Sequence, residues 1–249
     1  MMRSSNPALN SKTFAGFDRS VPGGEVMTLE GTVNKTGILL LLALVSASWT
    51  WGLFFTQRNP AAVAPWMVLG AIGGFVVAMV TVFKKEWSGI TAPAYALLEG
   101  LLLGGLSSLF EARYPGIVIQ AVGLTFGTLF ALLVAYKSRL IRVTQNFRLG
   151  VAAATGGIAL FYLASMVMGF FGWRMPFIHE TGILGIGFSL FVVGIAALNL
   201  VMDFDFIENG AAAGAPKFME WYGAFGLIVT LVWLYLEILR LLAKLRDRK

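Results

Sequence analysis

The stretch Ile228-Val-Thr-Leu-Val-Trp-Leu-Tyr-Leu-Glu237-Ile-Leu-Arg-Leu-Leu242 is apolar enough for lipid or for the core of a helix bundle, yet it carries a carboxylate. A charge at the centre of a bilayer costs roughly 2.5–3.5 kcal/mol on insertion scales, so such residues face the protein interior and carry function by default. Two more acidic groups, Glu99 and Asp203, sit in or at the ends of similar runs. Together the three outline an ion or proton site.

Composition places the whole chain in the same class. It is 57% hydrophobic and only 13% charged, about half the charge of a soluble domain, with a mean hydropathy of +0.77. This is the composition of an integral membrane protein. The net charge of +6 does not point to nucleic acid, because the basic residues cluster in loops and at the C-terminus, as topology signals and contacts to anionic lipid. No cysteine is present and His179 is the single histidine, which excludes disulfides, thiolate metal sites and a histidine relay.

A span needs about 20 mainly apolar residues. On that basis residues 1–36 form a polar tail, and 37–249 a seven-span membrane domain, with spans at about 37–55, 64–83, 91–110, 117–136, 149–171, 182–208 and 221–245. The tail holds no apolar stretch of the kind a cleavable signal needs, so the first run is expected to remain as a span. Short connections predict an all-α bundle with sequential helices as antiparallel neighbours. Small residues spaced by four (Gly70 and Gly74; Gly100, Gly104 and Ser108; Gly123 and Gly127) predict close helix approach.

Lys and Arg give the orientation. Lys84, Lys85, Lys137, Arg139, Arg142, Arg148 and Lys217 fall in loops on the side of the N-terminal tail, against Arg58, Arg113 and Arg174 opposite. The excess predicts a cytoplasmic N-terminus. The basic C-terminal tail, Arg240 to Lys249, then lies outside, against the rule, and the earlier helices are expected to dominate.

Each carboxylate has two readings. Glu99 either lines a hydrophilic cavity or is a buried structural group. Asp203, in Leu200-Val-Met-Asp203-Phe-Asp205-Phe-Ile-Glu208, is either solvated past a helix end or held about one turn below the surface. Glu237 either pairs with Arg240 at an interface or sits centrally, if the last helix starts after a break at Gly223 or Gly226. The later start also brings Asp203 level with Glu237, through a turn near Glu220. Two carboxylates facing each other in low dielectric cannot both ionise cheaply and titrate as a unit, a pH sensor without histidine. Deprotonated, the same oxygens suit a hard cation such as Ca²⁺. Asp205 and Arg240, with Glu99, are further candidates to line the cavity.

At these residues the chain resembles the bacterial Bax inhibitor-1/YccA-like transmembrane family. Met-Asp203-Phe-Asp-Phe-Ile-Glu-Asn-Gly is similar to the family's Tyr-Asp-Thr-Gln-type motif, and Trp233-Leu-Tyr-Leu-Glu237-Ile-Leu-Arg-Leu-Leu to its Leu-Tyr-Leu-Asp-Ile-Leu-Asn-Leu ending. Arg3-Ser-Ser-Asn-Pro-Ala-Leu and Met27-Thr-Leu-Glu-Gly-Thr-Val-Asn-Lys-Thr resemble one bacterial branch. The resemblance implies a seven-helix bundle with the last helix central, in the bacterial cytoplasmic membrane. It also implies a pH-dependent Ca²⁺ leak gated by two acids, here Asp203 and Glu237. The chain departs from the motif in Glu for Asp at 237, Met202 and Phe204 for the Tyr and Thr, and a longer sixth-to-seventh connection.

An enzyme is not expected. The Gly-x-Gly-Asp of intramembrane aspartyl proteases is absent, and neither a serine–histidine dyad nor a zinc ligand set is present. No cofactor is expected beyond Ca²⁺ as a transported or bound ion. The competing class is a non-transporting regulator that binds another membrane protein or a protease complex.

Overall fold

The computed structural model describes residues 25–171 and 182–248. The tail before residue 25, with Arg3, Lys12, Asp18 and Arg19, lies outside the described residues, as do Arg174, His179 and Lys249. Seven helices follow one another: α1 (Leu29–Gln57), α2 (Pro60–Phe83), α3 (Ser88–Arg113), α4 (Ile117–Lys137), α5 (Gln145–Phe170), α6 (Ile183–Ala212) and α7 (Met219–Asp247). All seven are long and apolar enough to cross a membrane. The shortest, α4, has 21 residues, which at 1.5 Å each gives about 31 Å against a hydrocarbon core of ~30 Å. Large side chains such as Leu41, Ile72, Phe75, Phe130 and Leu160 point outward, the face a lipid solvent requires. The chain is an all-α, multi-pass membrane protein.

The helix ends follow local chemistry that hydropathy does not register. The Thr28 hydroxyl accepts from the Gly31 N–H at 3.0 Å and caps α1, so α1 starts at Leu29 rather than Gly37 and takes in the end of the polar tail. Asn59 caps α2 by accepting from the Ala61 N–H, with Pro60 at the first helical position, where its missing donor costs nothing. Gly116, at φ 80°, turns the chain into α4. Helix α7 starts at Met219, two residues before the expected 221, and the alternative of a later start is corrected. No break occurs at Gly223 or Gly226, because Met219, Tyr222 and Phe225 are buried there and Gly223 leaves room for Ile207, Thr32 and Met27.

Two compact units are distinguished, one from residues 25–115 and 206–229, the other from 116–205 and 230–248. In the first, α1 and α2 pack on α3 through glycine. A Cβ on Gly100 would collide with Ser46 and the Ala43 carbonyl, and one on Gly104 with Ala47 and Thr50. A Cβ on Gly70 would likewise collide with the Leu98 carbonyl, whereas one on Gly74 would only press on the Glu99 carboxylate. The expected close approach is absent at Gly123 and Gly127, where an added Cβ would meet nothing within 4 Å among the described residues. In the second unit, Asn199 of α6 donates to the Thr155 hydroxyl of α5 at 2.9 Å, and Phe161 and Tyr162 of α5 lie against Phe188 of α6. The helix that buries most of its apolar stretch is α7; every other helix buries a third or less.

Candidate functional site

The C-terminal half of α7 holds Glu237 in a cage of donors. Helical spacing puts Trp233, Glu237 and Arg240 on one face. Trp233 Nε1 donates to Glu237 Oε1 at 3.2 Å, and Arg240 donates to the same oxygen at 2.8 Å. From α5, the Tyr162 hydroxyl reaches Oε1 at 3.1 Å and Oε2 at 3.2 Å. The Arg240 guanidinium lies 5.6 Å from the centre of the Tyr162 ring. Glu237 is buried whereas Arg240 is about half exposed, so the cage opens to the surface of the bundle through its cation. Of the two readings of Glu237, the pairing with Arg240 is present, and the carboxylate is buried within the bundle.

One step further along α7, the buried Lys244 donates to the Ser189 hydroxyl of α6 at 2.9 Å and to the Gly185 carbonyl at 3.0 Å. These bonds fix the register. Glu237 lies seven residues from Lys244 toward the α6–α7 connection, level with positions 192–196 of α6. Asp203 is a further seven to eleven residues along α6, roughly 10–16 Å up the axis at 1.5 Å per residue. The expected level, proton-sharing pair of Asp203 and Glu237 is therefore absent from this conformation. The turn between the helices falls at 213–218, before Glu220. A cation held jointly by Asp203 and Glu237 does not fit, and Arg240 already occupies the open side of Glu237 Oε1.

Asp203 is fully buried. Two residues on, Asp205 turns to the start of α5 and receives Arg148 at 2.6 Å. Asp205 is thus an ion-pair partner of the first turn of α5.

The first unit holds two further acidic groups. Glu99 of α3 is buried, bonded to Tyr95 one turn earlier. Gly74 of α2 faces its carboxylate: a Cβ there would stand 3.2 Å from Oε2. Glu220, in the first turn of α7, is fully buried. It receives the Thr28 N–H at 2.9 Å and the Thr28 hydroxyl at 2.8 Å, and pairs with Lys35. Sequence reasoning missed Glu220, treating it only as a turn marker. The signal available was Thr28 as a helix cap, which places Lys35 inside α1 with its side chain free to reach a partner.

Among the described residues no three His, Cys, Asp or Glu side chains gather to hold a metal ion. A family model, Bax inhibitor 1 like, matches residues 6–247. The chain belongs to this family. No curated protein and no solved structure matches it. In this Bax inhibitor 1 like protein the donor-caged Glu237 lies on α7 and the buried Asp203 on α6.

Proposed function

We propose that this protein is a pH-sensitive cation leak of the Bax inhibitor-1 type, passing Ca²⁺ or protons as its substrate ion. The two motif acids act at separate levels. Asp203 is the deep acidic element of the path and Glu237 the closure, held shut by Arg240 and Tyr162. The observation that carries the reading is the Glu237 cage: a buried carboxylate inside a membrane span, answered by a guanidinium that is half exposed. Protonating Glu237 removes the charge that Arg240 answers, so the closure loosens and the leak rises as pH falls. Glu99, Asp205 and Arg240 line the route or hold its walls. The Lys and Arg bias of the loops supports a cytoplasmic N-terminus, and the family resemblance supports the bacterial cytoplasmic membrane as the location.

One observation favours a second reading. Glu237, Asp205 and Glu220 each have a cationic partner, as a purely structural network would. That is the pattern of a non-transporting protein that regulates another membrane protein or a protease complex. Dye-detected Ca²⁺ flux into liposomes containing the purified chain, at several pH values, separates the two. Flux that increases toward acid supports the leak, and absence of flux at every pH supports the regulator.

A further inference from the structure

Residues 25–28 precede α1 and run antiparallel to the connection between α6 and α7. The Met27 N–H donates to the Ala215 carbonyl at 2.7 Å and the Lys217 N–H to the Glu25 carbonyl at 3.1 Å, with Val26 opposite Pro216. The Met27 side chain is buried, its tip against Gly223 of α7. Two backbone bonds and one side chain are a weak hold on a segment with no secondary structure of its own.

Glu220 supplies the rest. Its Oε1 receives both the N–H and the hydroxyl of Thr28, and its Oε2 pairs with Lys35 of α1. Thr28 meanwhile caps α1 through the Gly31 N–H, so one carboxylate ties the cap of α1 to the first turn of α7. Gly31 is required for this approach, since a Cβ there would overlap the Glu220 carboxyl group. Lys217 stands 3.4 Å from Oε1 and 3.7 Å from Glu25. Glu25 is exposed and the Lys217 side chain is 43% exposed, so the Lys217–Glu25 pair adds little and Lys217 answers Glu220 less closely than Lys35 does.

We propose that Glu220 is the latch of a strap: gripping Thr28 and Lys35, it holds residues 25–28 across the α6–α7 connection, and when the grip fails the segment and the first turn of α1 peel away together. The physical reason is the burial of Glu220. Removing Lys35 leaves a buried charge without its main counter-ion, and the nearest route to water is to lift the strap above it.

Thiol labelling tests this without ions, so its outcome is independent of the leak reading. The chain has no cysteine, and Met27→Cys therefore carries a single buried reporter. Maleimide should label it slowly in the otherwise unchanged protein, and at least about tenfold faster when Lys35→Met or Gly31→Ala is added, because local opening exposes it. Lys35→Arg should keep it protected. Unchanged labelling in folded Lys35→Met and Gly31→Ala chains would overturn the proposal. Should those variants fail to fold, Met27→Cys alone keeps every latch residue and a buried thiol. That thiol should become reactive in dilute denaturant before helical circular dichroism falls, and exposure only together with global unfolding would equally overturn the strap.

Discussion

The Lys244 ammonium of α7 donates to the Ser189 hydroxyl of α6 at 2.9 Å, and this one bond decides how the acids of the two helices relate. With Gly185 as its second acceptor, Lys244 is pinned near the start of α6. Glu237 then faces the middle of that helix, while Asp203 belongs near its other end. The two acids do not share an oxygen cage.

Their energetics should accordingly be separable. Asp203→Asn and Glu237→Gln, combined, should shift stability in detergent by the sum of the single effects, within about 0.5 kcal/mol. A proton-sharing pair would instead make the second substitution nearly silent, which thermal melting of the four proteins would reveal.

The Glu237 cage has a graded order. Removing Arg240 leaves a buried carboxylate without its cation, but Arg240 is half exposed and water screens part of the loss. Arg240→Met should therefore cost about 1–2 kcal/mol, below the 3–5 of a fully buried pair, and Tyr162→Phe about 1 kcal/mol. On the leak reading, Glu237→Gln and Arg240→Met also raise neutral-pH flux in liposomes and flatten its pH response. Lost folded protein with unaltered flux per molecule would count against it.

Glycines divide into those that touch and those that do not. Gly100→Ala and Gly104→Ala push a methyl group into α1 and should destabilise by about 1–3 kcal/mol. Gly123→Ala and Gly127→Ala meet nothing within 4 Å and should be neutral or stabilise by up to about 1 kcal/mol through helix propensity. Melting temperatures of the four variants check the contrast.

Orientation is open to the same cysteine-free background. Lys85→Cys and Arg142→Cys should react with impermeant reagent only from the cytoplasmic face, and Arg58→Cys only from the other. Labelling of the 58 and 142 positions from one face would refute the topology.

Seven apolar runs were legible as seven helices because lipid demands a long stretch of one character, and the Glu237–Arg240 pair was legible because its partners are three residues apart. The ends of the helices were not. The first turns of α1 carry Glu30, Asn34 and Lys35, polar side chains that a hydropathy window scores as tail, although a capping threonine starts the helix there. The Glu220–Lys35 pair joins residues 185 apart in the chain, and no periodicity encodes such a meeting. The level of Asp203 against Glu237 depended on where a connection turns, and burial of Met219, Tyr222 and Phe225 moved that point.

The hydroxyls buried where α1 meets α3 return their protons to their own helix. Ser46 donates to the Leu42 and Ala43 carbonyls, and Thr50 to those of Ser46 and Ala47. Between α5 and α6, by contrast, Asn199 spends a donor on Thr155 of the neighbouring helix. At Ser46 and Thr50 the α1–α3 seam thus works like a dry bearing: a small slip there breaks none of these hydroxyl bonds, whereas the same slip between α5 and α6 must first break a directional bond.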